Sequence, residues 1–275
     1  VPIIKKVVMS RNPVDQQTRS LLARILGPHY ITDWWMEAGE RLALTGVLQL
    51  ARPQVALEVG SLHGGSLQVM AVCARKVYAL EQDAEHCARL RQRFPNVEVI
   101  AGPSEQTLPG VLERIGEAGE ALGFVLIDGA HDTGSVLTDL TNLLCVRPVC
   151  PLFVLMHDSF MPSVRRAIRR APWADNPHVH ALELDFVTGL CHTRRTSPAV
   201  AGAMAGGLAL AVLDPAPRSS PLVISERNRL VYNWTRLIST AGVRFPLQAW
   251  RRLRAKIARA RQATIEPPAP AVSPR

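Results

Sequence analysis

The sequence predicts an α/β fold: a doubly wound, seven-stranded, mostly parallel sheet with helices on both faces and an antiparallel strand at one edge. Three observations carry this. From Val55 onward, short apolar runs alternate with amphipathic stretches of helical length, the pattern of repeated strand–helix–strand units. Runs such as Phe124-Val125-Leu126-Ile127 are apolar throughout, as strands buried on both faces must be. Near the end of the pattern, two apolar runs follow one another with only a polar loop between them, so they pair antiparallel.

The elements follow in order. Residues 1–30 show no clear period. Thr32 or Asp33 is positioned to cap a helix running through WWMEAGERLALTGVLQLA to Ala51, where Arg52-Pro53 ends it. VALEV (55–59) is the first strand, the turn GSLHGG follows, and SLQVMAVCAR is helical. KVYALE (76–81) is the second strand and AEHCARLRQRF (84–94) its helix. VEVIAG (97–102) is the third strand, followed by LPGVLERIGEAGE, a weak helix because of its three glycines. FVLID (124–128) and GSVLTDLTNLLC (134–145) come next, then the strand PLFVLMHD (151–158) and the short basic helix VRRAIRRAPW. HVHALELDF and GGLALAVLD are the last two strands. The organisation expected is an N-terminal helical segment (1–53), a ligand-binding catalytic domain (54–214), a C-terminal helical appendage (215–264) and a disordered tail (265–275) rich in proline.

Composition narrows the function. Five scattered cysteines without a CxxC pair argue against a zinc knuckle or a disulfide framework and suit a reducing, cytoplasmic setting. The apolar run in VPIIKKVV is too short for a secretion signal, and the missing initiator Met points to a chain trimmed at its start. The longest apolar stretch, near 199–213, falls short of the ~20 residues a membrane span needs. The formal net charge is +9, concentrated toward the end in WRRLRAKIARARQ (250–262). There, Trp250, Leu253 and Ile257 share a helical face among six Arg or Lys, which suits either a solvated helix lying on the domain or docking on an acidic partner, a membrane surface or nucleic acid.

The first strand–helix loop, EVGSLHGGS (58–66), stands where open α/β sheets receive a nucleotide. It is neither the GxGxxG of dinucleotide binding nor a phosphate loop, because from Gly60 the pattern is GxxxGG and Ser66 follows Gly65. A ligand without a pyrophosphate fits better. Glu81 ends the second strand, where an acid can accept from ribose hydroxyls; Asp83 is a weaker candidate. The plain alternative is a structural turn with a surface acid.

The order LEVGSLHGGS, VYALEQD, FVLIDGAHDTGSVLTDL, FVLMHDS and DFVTGL resembles the class I S-adenosylmethionine-dependent methyltransferases, with their Rossmann-like sheet. It is most similar to the branch carrying a DGxH motif and a following HD pair, which includes sugar and macrolide O-methyltransferases and cephalosporin hydroxylase-like proteins. The resemblance covers roughly 40–213. It implies that Glu58, Gly60, Ser61, Gly64, Gly65 and Ser66 line the methionine end of S-adenosylmethionine, that Glu81 holds the ribose, and that Gly102 to Ser104 approach the adenine. Pro103 stands where family members often have Asp, and RPVCP (147–151) replaces the usual GG turn.

Asp128 ends the fourth strand and His157-Asp158 the fifth. Neighbouring strands lie ~4.8 Å apart, so these side chains can meet on one divalent cation such as Mg²⁺ or Mn²⁺. His131 is then placed as general base, with the cation lowering the pKa of a substrate hydroxyl. The resemblance implies the same roles. The alternatives are that Asp128 caps the next helix or binds the cofactor's ammonium, and that His157 and Asp158 cap the turn before Pro162. Asp132 reads as a turn residue, Asp139 as a solvated helix residue and His63 as a loop residue. Trp34, Trp35 and Met36 form a lid or a core or dimer contact, and Thr188 and His192 lie near the substrate edge.

The function expected is a metal-assisted O-methyltransferase acting on a small-molecule hydroxyl, a sugar or natural product, in a homo-oligomer. The rivals are a nucleic-acid methyltransferase, a hydroxylase of the related branch and a cofactor-binding protein without catalysis. Against the first, the basic residues lie in the tail and are not interleaved with aromatics.

Overall fold

A computed structural model describes residues 34–191 and 203–240. The central sheet has the strand order β3-β2-β1-β4-β5-β9-β6-β10. Its strands are β1 (Val55–Val59), β2 (Lys76–Glu81), β3 (Val97–Ala101), β4 (Leu122–Ile127), β5 (Leu152–His157), β6 (Val179–Val187), β9 (Leu208–Leu213) and β10 (Val223–Ser225). Two short strands, β7 (Leu190–Cys191) and β8 (Met204–Ala205), pair on their own. The helices are α1 (Ala38–Ala51), α2 (Gly65–Cys73), α3 (Ala84–Arg93), α4 (Ser104–Glu117), α5 (Thr133–Leu143), α6 (Pro162–Arg170) and α7 (Arg229–Thr240).

The alternation of side chains along each strand builds two cores. Leu57, Val59, Val125, Ile127 and Met156 face α4, α5 and α6, packing against Leu108, Leu140 and Ile168. Ala56, Ala79, Phe124, Leu126 and Leu155 face the other way, against Leu44 and Leu48 of α1, Met70 of α2 and Leu90 of α3. Both faces are covered, which is why the central strands carry no polar alternation.

The expected Rossmann-like α/β class is the fold observed, with two differences in the sheet. It has eight strands, not seven, because Val223–Ser225 adds parallel to β6. This three-residue strand lies in what composition presented as an appendage. The antiparallel strand is also interior: β9 runs between β5 and β6, antiparallel to both. LALAVL is apolar on both faces, as suits a strand inside a sheet covered on both sides, and its backbone pairs with a neighbour at each edge.

Two helix starts also differ from expectation. Thr32 and Asp33 lie outside the described residues. The helix begins at Ala38, where Glu37 and Glu40 form a reciprocal capping box. Helix α4 starts at Ser104, earlier than its glycines implied, and accommodates Pro109. The predicted basic helix at 250–262, and His192, lie outside the described residues. Among the described residues, no helix is long and apolar enough to cross a membrane.

The segment after β9 is tied down by a buried cation. Arg165 of α6 is fully buried and pairs with Asp185 of β6 at 2.8 Å and Glu226 at 2.7 Å. It also donates to the Leu184 carbonyl, and its guanidinium lies 4.8 Å from the Tyr232 ring. Asn228 adds hydrogen bonds to Asp185 and Thr188. Thr188 thus accepts from the side chain that precedes α7.

Candidate active site

The loop after β1 is shaped by what presses on it. A Cβ on Gly60 would come within 2.6 Å of the Gly129 Cα, because the ends of β1 and β4 touch there. Gly65 opens α2 under Trp34, where a Cβ would meet the indole at 2.8 Å. Trp34 is thus core, packed on the loop, whereas Trp35 is exposed.

Glu58 is fully buried behind this loop. It accepts hydrogen bonds from Ser61, at 2.7 Å, and from Ser66. Burial pushes its carboxyl up to about 8 despite those bonds. It does not line the cavity described below; it clamps the two serines that do. Glu81 accepts from the Leu62 and Asp83 amides at 2.7 and 2.9 Å. Asp83 caps α3 through the Glu85 and His86 amides. Gly102 donates its amide to the Glu81 carbonyl, and Ser104 begins α4. Glu81, Gly64, Gly102 and Ser104 therefore sit on the β2–β3 side of the loop, outside the lining of this cavity.

The cavity, about 430 Å³, opens over the carboxyl ends of β1, β4 and β5. Gly60, Ser61, Gly65 and Ser66 form one wall and Asp128, His131, His157 and Asp158 another. The sheet register brings the second group together. Ile127 pairs with Met156, so the next residues, Asp128 and His157, fall side by side. His157 Nδ1 lies 2.8 Å from Asp128 Oδ1 and 3.8 Å from Asp158 Oδ2. His131 Nε2 lies 3.1 Å from Asp158 Oδ2 and 3.7 Å from Asp128 Oδ1. Asp158 adopts a left-handed backbone, φ 54°, and its other oxygen accepts from the Gly206 amide. Such strain in a non-glycine residue persists only where its surroundings enforce it.

One residue of this corner escaped the sequence. Glu40, on α1, is buried and lies 3.3 Å from His157 Nε2. Its carboxylate also accepts from the Glu37 amide at 2.7 Å and from the Gly207 amide. The signal was present: Glu40 shares the inward face of its helix with Leu44, Val47 and Leu48, and an acid on an apolar face is anomalous.

Charge in the corner is coupled. Burial alone would raise Asp128 and lower His157. Their mutual attraction outweighs this, so Asp128 is held below the usual carboxylate range and His157 well above that of a free imidazole. Burial would raise Glu40 too, but His157 holds it low. His131 is raised, with Asp128 the larger influence and Asp158 the closer contact.

Among the lesser candidates, Asp132 is the cap of α5, accepting from the Gly134 and Ser135 amides. Asp139 corrects the expectation of a solvated residue. It is fully buried under Gly129, and burial raises it to about 6. His63 lines the cavity and stacks edge-on against His86.

Residues 57–159 match the family profile described as "Methyltransferase domain". The chain carries a methyltransferase domain. The profile agrees with the methyltransferase resemblance carried by the order of motifs and does not distinguish the DGxH branch. No curated protein sequence matches the chain. Solved structures similar to the methyltransferase include an O-methyltransferase from Bacillus cereus in complex with SAH, at 17% identity over 76% of this chain and 94% of that one, TM-score 0.48. A putative O-methyltransferase from Klebsiella pneumoniae is similar at 19% identity over 76% and 93%, TM-score 0.48. TomG from Streptomyces achromogenes, an O-methyltransferase involved in tomaymycin synthesis, is similar at 16% over 76% and 92%, again at 0.48. Likeness at this level carries no argument about chemistry.

Proposed function

We propose that the methyltransferase acts on a hydroxyl of a small molecule, a sugar or natural product, with a divalent cation held by Asp128, His157 and Asp158 and with His131 as the base. The supporting observation is the meeting of these four side chains beside the glycine loop in one cavity.

S-Adenosylmethionine suits the wall formed by Gly60 to Ser66. The start of α2 presents unpaired amides to a carboxylate, and the acids across the cavity attract an ammonium. The cation suits the opposite wall. Asp128, His157 and Asp158 each offer one ligand atom, all within 4.8 Å of one another. Two ligands at right angles on an ion with ~2.1 Å bonds are ~3 Å apart, and the 2.8 Å between Asp128 and His157 fits that separation. A bound cation would lower the pKa of a coordinated hydroxyl.

The chain's own residues supply the rest. His131 is half-exposed at the cavity edge, and its Nε2 can take a proton once free of Asp158. Glu40 fixes the His157 ring from behind. Among the described residues, the lining contains Glu37, Glu40, Asp128 and Asp158 and neither Lys nor Arg, which favours a neutral or cationic small molecule over a phosphodiester chain.

The test is methyl transfer from labelled S-adenosylmethionine to a panel of hydroxylated small molecules, with EDTA and with Mg²⁺ restored. The expected result is turnover that EDTA abolishes and Mg²⁺ rescues, and that His131→Ala removes at unchanged cofactor affinity. Full turnover after chelation would refute the cation; turnover by the His131 variant would place the base elsewhere.

A further inference from the structure

Helix α7 faces the wrong way for a helix that merely lies on a protein in water. Its inward side carries Tyr232, buried against Phe160 and Met204, and Ser239. Its outward side carries Leu230, Val231, Trp234 and Leu237, exposed by 83%, 55%, 66% and 54%. At 100° per residue, Leu230, Trp234 and Leu237 form one stripe with Val231 at its margin, opposite Tyr232. The helix is held in this pose, because Arg165, Glu226 and Asn228 fix its start and Tyr232 its middle.

The charge of the same region is one-sided. From Arg227 to Ile265 the sequence has ten Arg or Lys and no Asp or Glu, so the whole net charge of +9 resides there and the rest of the chain nearly balances. Arg227 and Arg229 stand exposed at the entrance to α7.

We propose that the outward face of α7 docks the protein on an anionic lipid surface. Trp and Leu side chains on one face, flanked by Arg, suit the boundary between acyl chains and headgroups, and the basic sequence that follows adds attraction to anionic headgroups. The helix is 12 residues long and lies on the surface without spanning it. A nucleic acid would use the charge but leave the apolar stripe uncovered, and a second copy would cover the stripe but bring two regions of the same charge together. The lipid surface satisfies both features. Docking would place the methyltransferase where amphiphilic substrates concentrate.

The experiment is co-sedimentation of the full chain with vesicles of phosphatidylcholine alone or with phosphatidylglycerol added. Binding to the anionic vesicles alone, weakened by salt, is expected. The double variant Trp234→Ser/Leu237→Ser should bind these vesicles more than about tenfold more weakly, with circular dichroism and S-adenosylmethionine affinity unchanged because both side chains are exposed. Absence of wild-type binding to anionic vesicles, or equal binding by the variant, overturns the proposal. So does self-association, or retention on nucleic acid, that the variant loses while vesicle binding stays absent.

Discussion

Glu40→Gln tests the link between helix α1 and the cation corner. Glu40 lies 3.3 Å from His157 Nε2, while His157 Nδ1 faces Asp128 at 2.8 Å. A carboxylate can only accept, so it keeps the proton on Nε2 and leaves Nδ1 free to give its lone pair to a cation. Glutamine retains the shape and one acceptor oxygen for the Gly207 amide, but its NH₂ toward His157 favours the opposite tautomer, with the proton on Nδ1, and forfeits the bond from the Glu37 amide, which ends on the same atom. Loss of such a supporting partner behind a metal-bound histidine costs about 10–100-fold in affinity. Titration with Mn²⁺, followed by the electron paramagnetic resonance of the free ion, reads this directly and needs no substrate. The expected result is Mn²⁺ binding weakened by about 10–100-fold, with stability lowered by about 1 kcal/mol through the lost capping bond and S-adenosylmethionine affinity near wild type. Equal Mn²⁺ affinity in the two proteins would refute the positioning role. Absence of Mn²⁺ binding by the wild type would refute the cation site itself, a distinguishable result.

Three further outcomes follow from the same contacts. The cation must displace the proton that His157 holds between Asp128 and Glu40, so Mn²⁺ affinity should rise with pH and binding should release a proton, measurable by calorimetry in two buffers of different ionisation enthalpy. Glu58 holds a proton in the folded state up to about 8 against 4.5 as an ordinary Glu; the folded state binds more protons across that window, so stability falls as pH rises through it, by as much as a few kcal/mol. Urea unfolding of Glu58→Gln should show this slope removed and the variant the more stable protein at pH 8, and an unchanged slope would mean that another group causes it. Arg165→Leu should cost about 3–5 kcal/mol in the same assay, because Asp185 is left as a buried charge without its partner; a loss below about 1 kcal/mol would show that the network contributes little.

What was legible in the sequence, and what was not, divides by range. Asp128 and His157-Asp158 could be brought together without a structure, because adjacent parallel strands end at the same level and fixed register does the rest. Gly60 and Gly65 signalled a close approach, and the structure supplies what approaches: the end of β4 and the Trp34 ring. Glu58 was readable as important but not as hidden, since its two serines lie three and eight residues away in a turn whose shape the pattern does not specify. Glu40 was the harder case. Its partner is 117 residues distant, and the contact depends on how α1 lies across the strand ends, which only packing decides. Asp139 was misread for a related reason: periodicity gives the faces of α5 but not how far α4 and the Gly129 turn close over its flank. The position of β9 inside the sheet was misread as an edge, because side-chain pattern reports which faces of a strand are covered and not which strands flank it, and the three residues of β10 gave no signal of their own.

Calorimetric titration of the full chain with S-adenosylmethionine tests the account at its centre. Saturable binding well below millimolar ligand, weakened when Ser66→Ala removes one of the two hydroxyls that tie the glycine loop to Glu58, is the result the account predicts. No heat of binding at millimolar S-adenosylmethionine, from protein shown to be folded, would contradict it.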